Sequence, residues 1–330
     1  MLNNINRSIE IFESNFRAAK SAYVLNTSLE ASACAAAFIG RNFVVSPERL
    51  RDAKKVVRSN TGIFSTLGHG NASQVIAATV SMSEEPQVAM DTIRFIHSAL
   101  DEKFFNSDYL VLAANMIYSN ADPADYSRIV SRTREIYKLI RRDHPMITGR
   151  EDLSNCVLMA LSDYSETQIA RRCEDDFRAL HDYYRLKNRI QYMACITSIF
   201  DGRPEDKALR VVSTQKALKQ VGLRFSGDAF SVIASIAMLV REEDLQEVAS
   251  MIHETSKKLR KIRGMGAMGA GKRIRDLIAC ALVIESYTDA GNSAVRDSAI
   301  STIISAIIAV EIAIIASSAA AASAAAASSS

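Results

Sequence analysis

Six segments of this chain begin alike and recur at nearly constant spacing, and that regularity restricts the fold more than any other feature. They open at Pro47 (SPERLRDAKKVV), Pro86 (EPQVAMDTIRFI), Pro123 (DPADYSRIVSRT), Tyr164 (DYSETQIARRCE), Pro204 (RPEDKALRVVST) and Glu242 (REEDLQEVASMI), 39, 37, 41, 40 and 38 residues apart. Proline suits a first helical position, because the N–H it lacks has no intrahelical partner there. Ser46 and Asp122 stand just before such prolines, with side-chain oxygens able to cap exposed N–H groups. Glu48, Asp125, Glu205 and Asp206 place negative charge in the first turns, where the helix dipole favours it. Ile129, Thr133, Ile136, Tyr137 and Ile140 then fall at helical spacing, as do Leu245, Val248, Ala249, Ile252 and Leu259.

Each of these amphipathic segments has a more apolar neighbour on its N-terminal side: ASQVIAATVSM, YLVLAANMIYS, CVLMALSD, YMACITSIF and FSVIASIAMLV. A helix apolar on most sides must be buried, and one hairpin cannot bury it alone, whereas a stack of hairpins can. The expected fold is therefore all-α: stacked helical hairpins of about forty residues, six or seven of them, in an α-solenoid-like or ring-like array. Residues 1–25 form an N-terminal helix, 26–289 the array, and 290–330 an apolar C-terminal helix with an Ala/Ser-rich tail. A composition with 13 Gly, 5 Pro and no Trp among 330 residues agrees with helix, and FVV at 43–45 is too short to establish a strand.

In this order, the TGIFS turn at 61–65, the Ala-rich first helices, the Gly-rich turn ending in Gly271 and Lys272, and the Ala/Ser tail resemble one family. It is the uncharacterised bacterial family named domain of unknown function 4003, and the resemblance spans nearly the whole chain. It implies an all-helical cytoplasmic protein and carries no catalytic residues across.

The stretch GMGAMGAGKR, 264–273, reads both as G-x-G-x-x-G and as an incomplete P-loop. A P-loop needs a buried strand that delivers the loop to a helix N-terminus. Here HETSKKLRKIRG precedes it, and Arg273 stands where a Ser or Thr hydroxyl would hold magnesium. The glycines are better explained as a helix stop and turn, and no cofactor is expected. The flanking charge matters more. Lys257, Lys258, Lys261, Arg263, Lys272 and Arg273 belong to a basic run with no acidic member, a candidate for binding an anion or anionic surface. A solvated helix end would show the same charges. The run contains no aromatic residue, which argues against single-stranded nucleic acid. A net charge of +3 points to no sequence-specific nucleic-acid partner either.

Five histidines lie far apart, and no H-E-x-x-H, G-x-S-x-G or C-x-x-C motif is present. The five cysteines are dispersed, three of them within apolar runs, so neither zinc nor disulfides are expected. With no signal-peptide core in MLNNINRSIEIFESNF, the cytoplasm is the expected compartment. No coherent catalytic set emerges.

The turns between hairpins are richer than spacing requires. Phe64, His69, Phe105, Arg150, Arg189, Arg224 and Phe225 mark them as a candidate partner-binding face, since corresponding turns of stacked hairpins line up. The competing explanation is that their aromatics plug the core between repeats. In the tail, residues 299–316 (AISTIISAIIAVEIAIIA) carry one charge, Glu311, which would be costly in a bilayer. The segment is expected to cap the array or to self-associate, and with the basic run it also offers a route to an anionic membrane surface. A protein-interaction or scaffolding module without intrinsic catalysis is the leading functional expectation. An enzyme or ligand-binding protein with a pocket inside the array, and a peripheral membrane protein, are its alternatives.

Overall fold

The computed structural model describes residues 2–22, 27–61, 66–69, 72–101 and 107–289. Among them there is no strand. Seven helices carry a polar face: α1 (Leu2–Ala22), α3 (Pro47–Ser59), α6 (Pro86–Leu100), α8 (Tyr126–Asp143), α10 (Glu166–His181), α12 (Pro204–Gln220) and α14 (Leu245–Leu259). Between them stand seven more deeply buried ones: α2 (Ser28–Ala36), α5 (Ser73–Met82), α7 (Asp108–Asn120), α9 (Leu153–Ala160), α11 (Lys187–Thr197), α13 (Phe230–Leu239) and α15 (Gly271–Asp289). A single turn, α4 (Thr66–His69), lies between α3 and α5.

The helix starts follow the capping chemistry. Pro47, Pro86 and Pro204 are the first residues of α3, α6 and α12, and the Ser46 hydroxyl accepts from Arg49 N. Pro123 and Glu242 each open a 3-10 turn that runs into α8 or α14, with Asp122 capping the former. The fourth start falls two residues later than its motif suggests. α10 begins at Glu166, because Ser165 and Gln168 form a reciprocal capping box that satisfies two backbone N–H groups.

Burial follows the sequence period. Every residue of α9 and α13 is buried, and so are all residues of α5 except its last. Each buried helix packs against the polar-faced helix before it: α2 on α1, α5 on α3, α7 on α6, α9 on α8, α11 on α10, α13 on α12 and α15 on α14. Each buried helix also packs on the next buried one, from α2 to α5 through to α13 and α15. α15 additionally touches α1 and α2. At that junction Gly40 adopts φ +76°, a left-handed conformation that glycine takes without strain, and it lies against the Glu285 carboxylate.

A second regularity emerges from the polar-faced helices. Arg49, Arg132, Arg172 and Arg210 are each followed by buried residues one, four and eight positions on (for Arg132, these are Thr133, Ile136 and Ile140). From this shared position each guanidinium reaches a carbonyl at the C-terminal end of the buried helix that follows or, for Arg132, in the connection just beyond it. Arg49 donates to Ser81 O and Ser83 O, Arg132 to Tyr164 O, Arg172 to Ser198 O and Phe200 O, and Arg210 to Val240 O. Helix C-termini leave carbonyls without intrahelical donors and carry partial negative charge, so an arginine answers both needs. Thr92 and Met251 hold the equivalent positions in α6 and α14.

Candidate functional site

The connections that lead into the buried helices meet one another along one end of the molecule. Ala72 N donates to Asp108 Oδ1 at 3.2 Å, joining the starts of α5 and α7. Thr148 Oγ1 donates to Gln191 Oε1 at 3.3 Å, joining the turn before α9 to α11. The Tyr184 ring meets Phe230 edge-on at 6.0 Å, and the Arg189 guanidinium stands 4.8 Å from the same ring. Lys272 Nζ donates to Gly222 O at 3.3 Å and Arg273 Nη2 to Ser226 O at 3.2 Å, joining the last two connections.

Of the candidate turn residues, Phe64 and Phe105 lie outside the described residues, and His69 ends α4. Arg150 and Arg224 are exposed, whereas Phe225 is half-buried against the core. Tyr184 and Phe230 likewise face inward, and burial pushes the Tyr184 hydroxyl up to about 12. Tyr184, Phe225 and Phe230 thus plug the core, and the exposed apolar side chains of this end are others. Met146, Tyr183, Leu186 and Met268 all stand in connections into buried helices, Met146 at 93% exposure and Met268 fully exposed.

Positive charge concentrates at the same end. Residues 182–189, 221–229 and 257–275 hold twelve basic residues against two acidic ones, Asp182 and Asp228, in a chain of net charge +3. The remainder is therefore net negative. Lys257, Lys258, Lys261, Arg263, Lys272 and Arg273 are all exposed. Several are also oriented: Lys257 by Glu254 on its own helix, Lys258 by Asn6 Oδ1 of α1 at 2.8 Å, and Lys272 by Asp276. Asp276 also accepts from Ser256 Oγ at 2.7 Å, which ties α15 to α14.

The glycine stretch lies between these charges, as the connection from α14 to α15. Three amides at its end turn inward: Gly269 N and Gly271 N donate to Gly266 O at 3.1 and 3.0 Å, and Ala270 N to Gly264 O at 2.9 Å. Gly269 lies so close to Gly264 that a Cβ on it would sit 1.9 Å from Gly264 O. A phosphate cradle needs amides pointing outward into an open loop. In this loop they close a turn, and the element before it is a helix.

Other polar groups are structural in their geometry. Lys207 and Asp176 form a buried ion pair at 2.7 Å, with the ammonium also donating to Thr197 O and Phe200 O. Burial pushes the Asp176 carboxyl up and the Lys207 ammonium down. His144 Nε2 lies 2.7 Å from Glu174 Oε2 while its ring packs on Phe177 at 4.3 Å. Among the described residues no group of three His, Cys, Asp or Glu side chains could hold a metal ion, and all five cysteines are buried free thiols. No described helix is long and apolar enough to cross a membrane, and residues 299–316 lie outside that description.

Sequence reasoning missed one feature entirely. At the opposite ends of α5 and α7, an open cleft of about 470 Å³ is lined by Phe43, Met82, Tyr118, Tyr126 and Arg41. Tyr118 and Tyr126 stack at 6.3 Å, and the Tyr126 hydroxyl donates to Tyr118 O. The pattern of aromatics near 43, 118 and 126 was visible in the chain, but nothing local says that they converge.

These features define an all-helical hairpin protein with a basic, apolar-tipped turn end. The chain belongs to the family described as protein of unknown function (DUF4003), whose model matches residues 15–313. No curated protein and no solved structure matches it.

Proposed function

We propose that this is a cytoplasmic interaction module. Its seven hairpins close into a ring, and one rim of that ring binds an acidic surface on a protein partner. Ring closure is supported by the contacts of α15 with α1 and α2, which complete a cycle of neighbouring buried helices. The bond from Lys258 to Asn6 extends the cycle to α14 and α1. The observation that carries the binding reading is the separation of charge: twelve basic residues against two acidic in three adjoining connections and the helix ends that flank them, in a nearly neutral chain.

Exposed Tyr183, Leu186 and Met268 stand among these arginines and lysines. Arg, Tyr and Met are the residue types enriched at protein interfaces. The N-termini of α11, α13 and α15 add positive partial charge at the same rim. Complementary charge would steer an acidic partner and make association salt-dependent, with screening over ~10 Å at 0.1 M salt.

The test is capture of interacting proteins by the wild-type chain and by a Lys261→Glu/Arg263→Glu variant of equal melting temperature. The expected result is an acidic protein retained at low salt, released at high salt, and lost with the double variant. Recovery that is indifferent to both salt and charge reversal would refute the rim. Flotation of the wild type, but not the variant, with phosphatidylserine vesicles and no protein captured would replace the partner with a membrane surface.

A further inference from the structure

The cleft at the far ends of α5 and α7 has the make-up of a small-molecule site: it is concave, mostly apolar and holds one arginine. We propose that it binds a small monocarboxylate with an aromatic or branched apolar body, the carboxylate paired to Arg41 and the body against Phe43, Met82 and Tyr126. The basic rim lies at the other ends of these helices, and the proposal does not rest on it.

Size and lining agree with such a ligand. At about 470 Å³ the cleft falls within the range of small-molecule sites, ~300–1,000 Å³, which are lined by apolar and aromatic groups with a few polar ones. Met82 comes from the end of α5, Tyr118 from that of α7, Pro123 and Tyr126 from the opening of α8, and Phe43 from the segment before α3. These walls are held by the protein itself. Phe43 stacks on Phe38 at 5.9 Å and has the Arg49 guanidinium 5.2 Å from its ring, while Tyr118 and Tyr126 stack at 6.3 Å. A wall already in place spares a ligand the entropy of ordering it.

The arginine is positioned and uncommitted. Gly40 and Asn42, on either side of it, have φ +76° and +48°, left-handed values that turn the chain sharply around Arg41. For a residue other than glycine such a value carries a cost, and positions of this kind gather at ligand clamps. The Arg41 guanidinium donates through Nη2 to Ser119 O at 3.3 Å, which holds it at the border of the cleft. Among the described residues no carboxylate pairs with it. Arg51, Arg94 and Arg128, by contrast, each pair with a carboxylate three residues earlier in the chain. The remaining N–H groups of Arg41 present the planar fork that a carboxylate accepts from, beside an apolar wall that excludes water and strengthens the pair.

This charge selects among ligands. Aromatic walls alone would suit a quaternary ammonium equally, but Arg41 repels a cation. A neutral apolar molecule would gain the wall and nothing from the guanidinium.

The experiment is calorimetric titration of the full chain with 4-phenylbutyrate, with its neutral counterpart 4-phenylbutanol and with phenyltrimethylammonium, on the wild type and on Arg41→Gln. Hydrogen exchange of the acid-saturated chain locates the site. One acid should bind per chain with a Kd of about 1 mM or below, and the alcohol about tenfold or more weaker. Exchange should slow at 79–83 and 118–126 and stay unchanged at the basic rim. Arg41→Gln should bring the acid down to the affinity of the alcohol and leave the alcohol unaffected. The comparison of acid with alcohol on the wild type needs no substitution, so it stands even where the variant is less stable. The proposal is overturned if the acid shows no saturation by ~10 mM, or if acid and alcohol bind the wild type equally. Acid binding that is indifferent to Arg41→Gln, protection that falls at the rim, or tighter binding of the ammonium probe overturns it as well.

Discussion

Lys207 occupies a position that its helix otherwise reserves for buried side chains: 207, 211, 214 and 218 are all inaccessible. Such a lysine is tolerable only because all three ammonium protons are used, on Asp176, Thr197 O and Phe200 O. Truncating it would strand a buried carboxylate. Lys207→Ala should therefore cost about 3–5 kcal/mol in urea unfolding, whereas Lys207→Met with Asp176→Leu should lose much less. Asp244 is a different case, in the turn that opens α14 and facing Tyr287 of α15. The Tyr287 hydroxyl donates to it at 2.6 Å, and together with Arg241 this holds its carboxyl below the usual range. A folded-state pKa below the unfolded one means stabilisation that is complete above pH ~4 and fades as pH falls through the lowered value. The melting-temperature gap between wild type and Asp244→Asn should accordingly be widest near neutrality and narrow on acidification. A gap that persists unchanged at the lowest folded pH would show that Asp244 acts without its charge.

The arginines of α3, α8, α10 and α12 show how one element is fastened to the next. Arg172 serves Ser198 O at 2.7 Å and Phe200 O, with Tyr164 stacked 4.1 Å from its guanidinium. Arg172→Ala should lose about 1–3 kcal/mol, and Arg172→Lys should recover only part, because an ammonium cannot span both carbonyls in the same geometry. The loop joining α14 to α15 carries a separate expectation. A helix precedes it where a P-loop has a strand, and the amides of Gly269, Ala270 and Gly271 are spent on its own turn, so ATP with magnesium should leave the melting temperature unchanged; a rise that scales with nucleotide concentration would refute this. Elements of this kind differ in how visible they are in the chain. Helix starts at Pro47, Pro86 and Pro204 were legible because capping is local, and Ile129 through Ile140 because burial has the helical period. The arginine positions share that period, yet their carbonyl partners lie 26 to 34 residues away, and only packing shows which carbonyl is within reach. The alignment of turns was legible from repetition, whereas the inward packing of Tyr184, Phe225 and Phe230 was not, because an aromatic in a turn suits core and interface equally.

The proposed closure of the array would make a demand on the whole molecule that an open one does not. In an open stack each hairpin depends on its immediate neighbours, so damage at one end decays along the chain. In a ring the first and last hairpins are neighbours, and damage to the first must reach the last directly. Phe12 of α1 is suited to the test: it is buried and lines the small cavity shared with Ala35 of α2 and Leu282 of α15. Phe12→Ala should cost about 3–5 kcal/mol if the site cannot collapse. Its distribution is the informative part. With closure, amide exchange should quicken in α15 and α14 as much as in α2 and α3, while α9, on the far side, retains its protection. The pairing of Lys258 with Asn6 gives α14 a direct route to α1, so it should respond even though it lies more than two hundred residues away in sequence. Loss confined to α2 and α3, with α14 and α15 unaffected, would describe an open array and remove the ring.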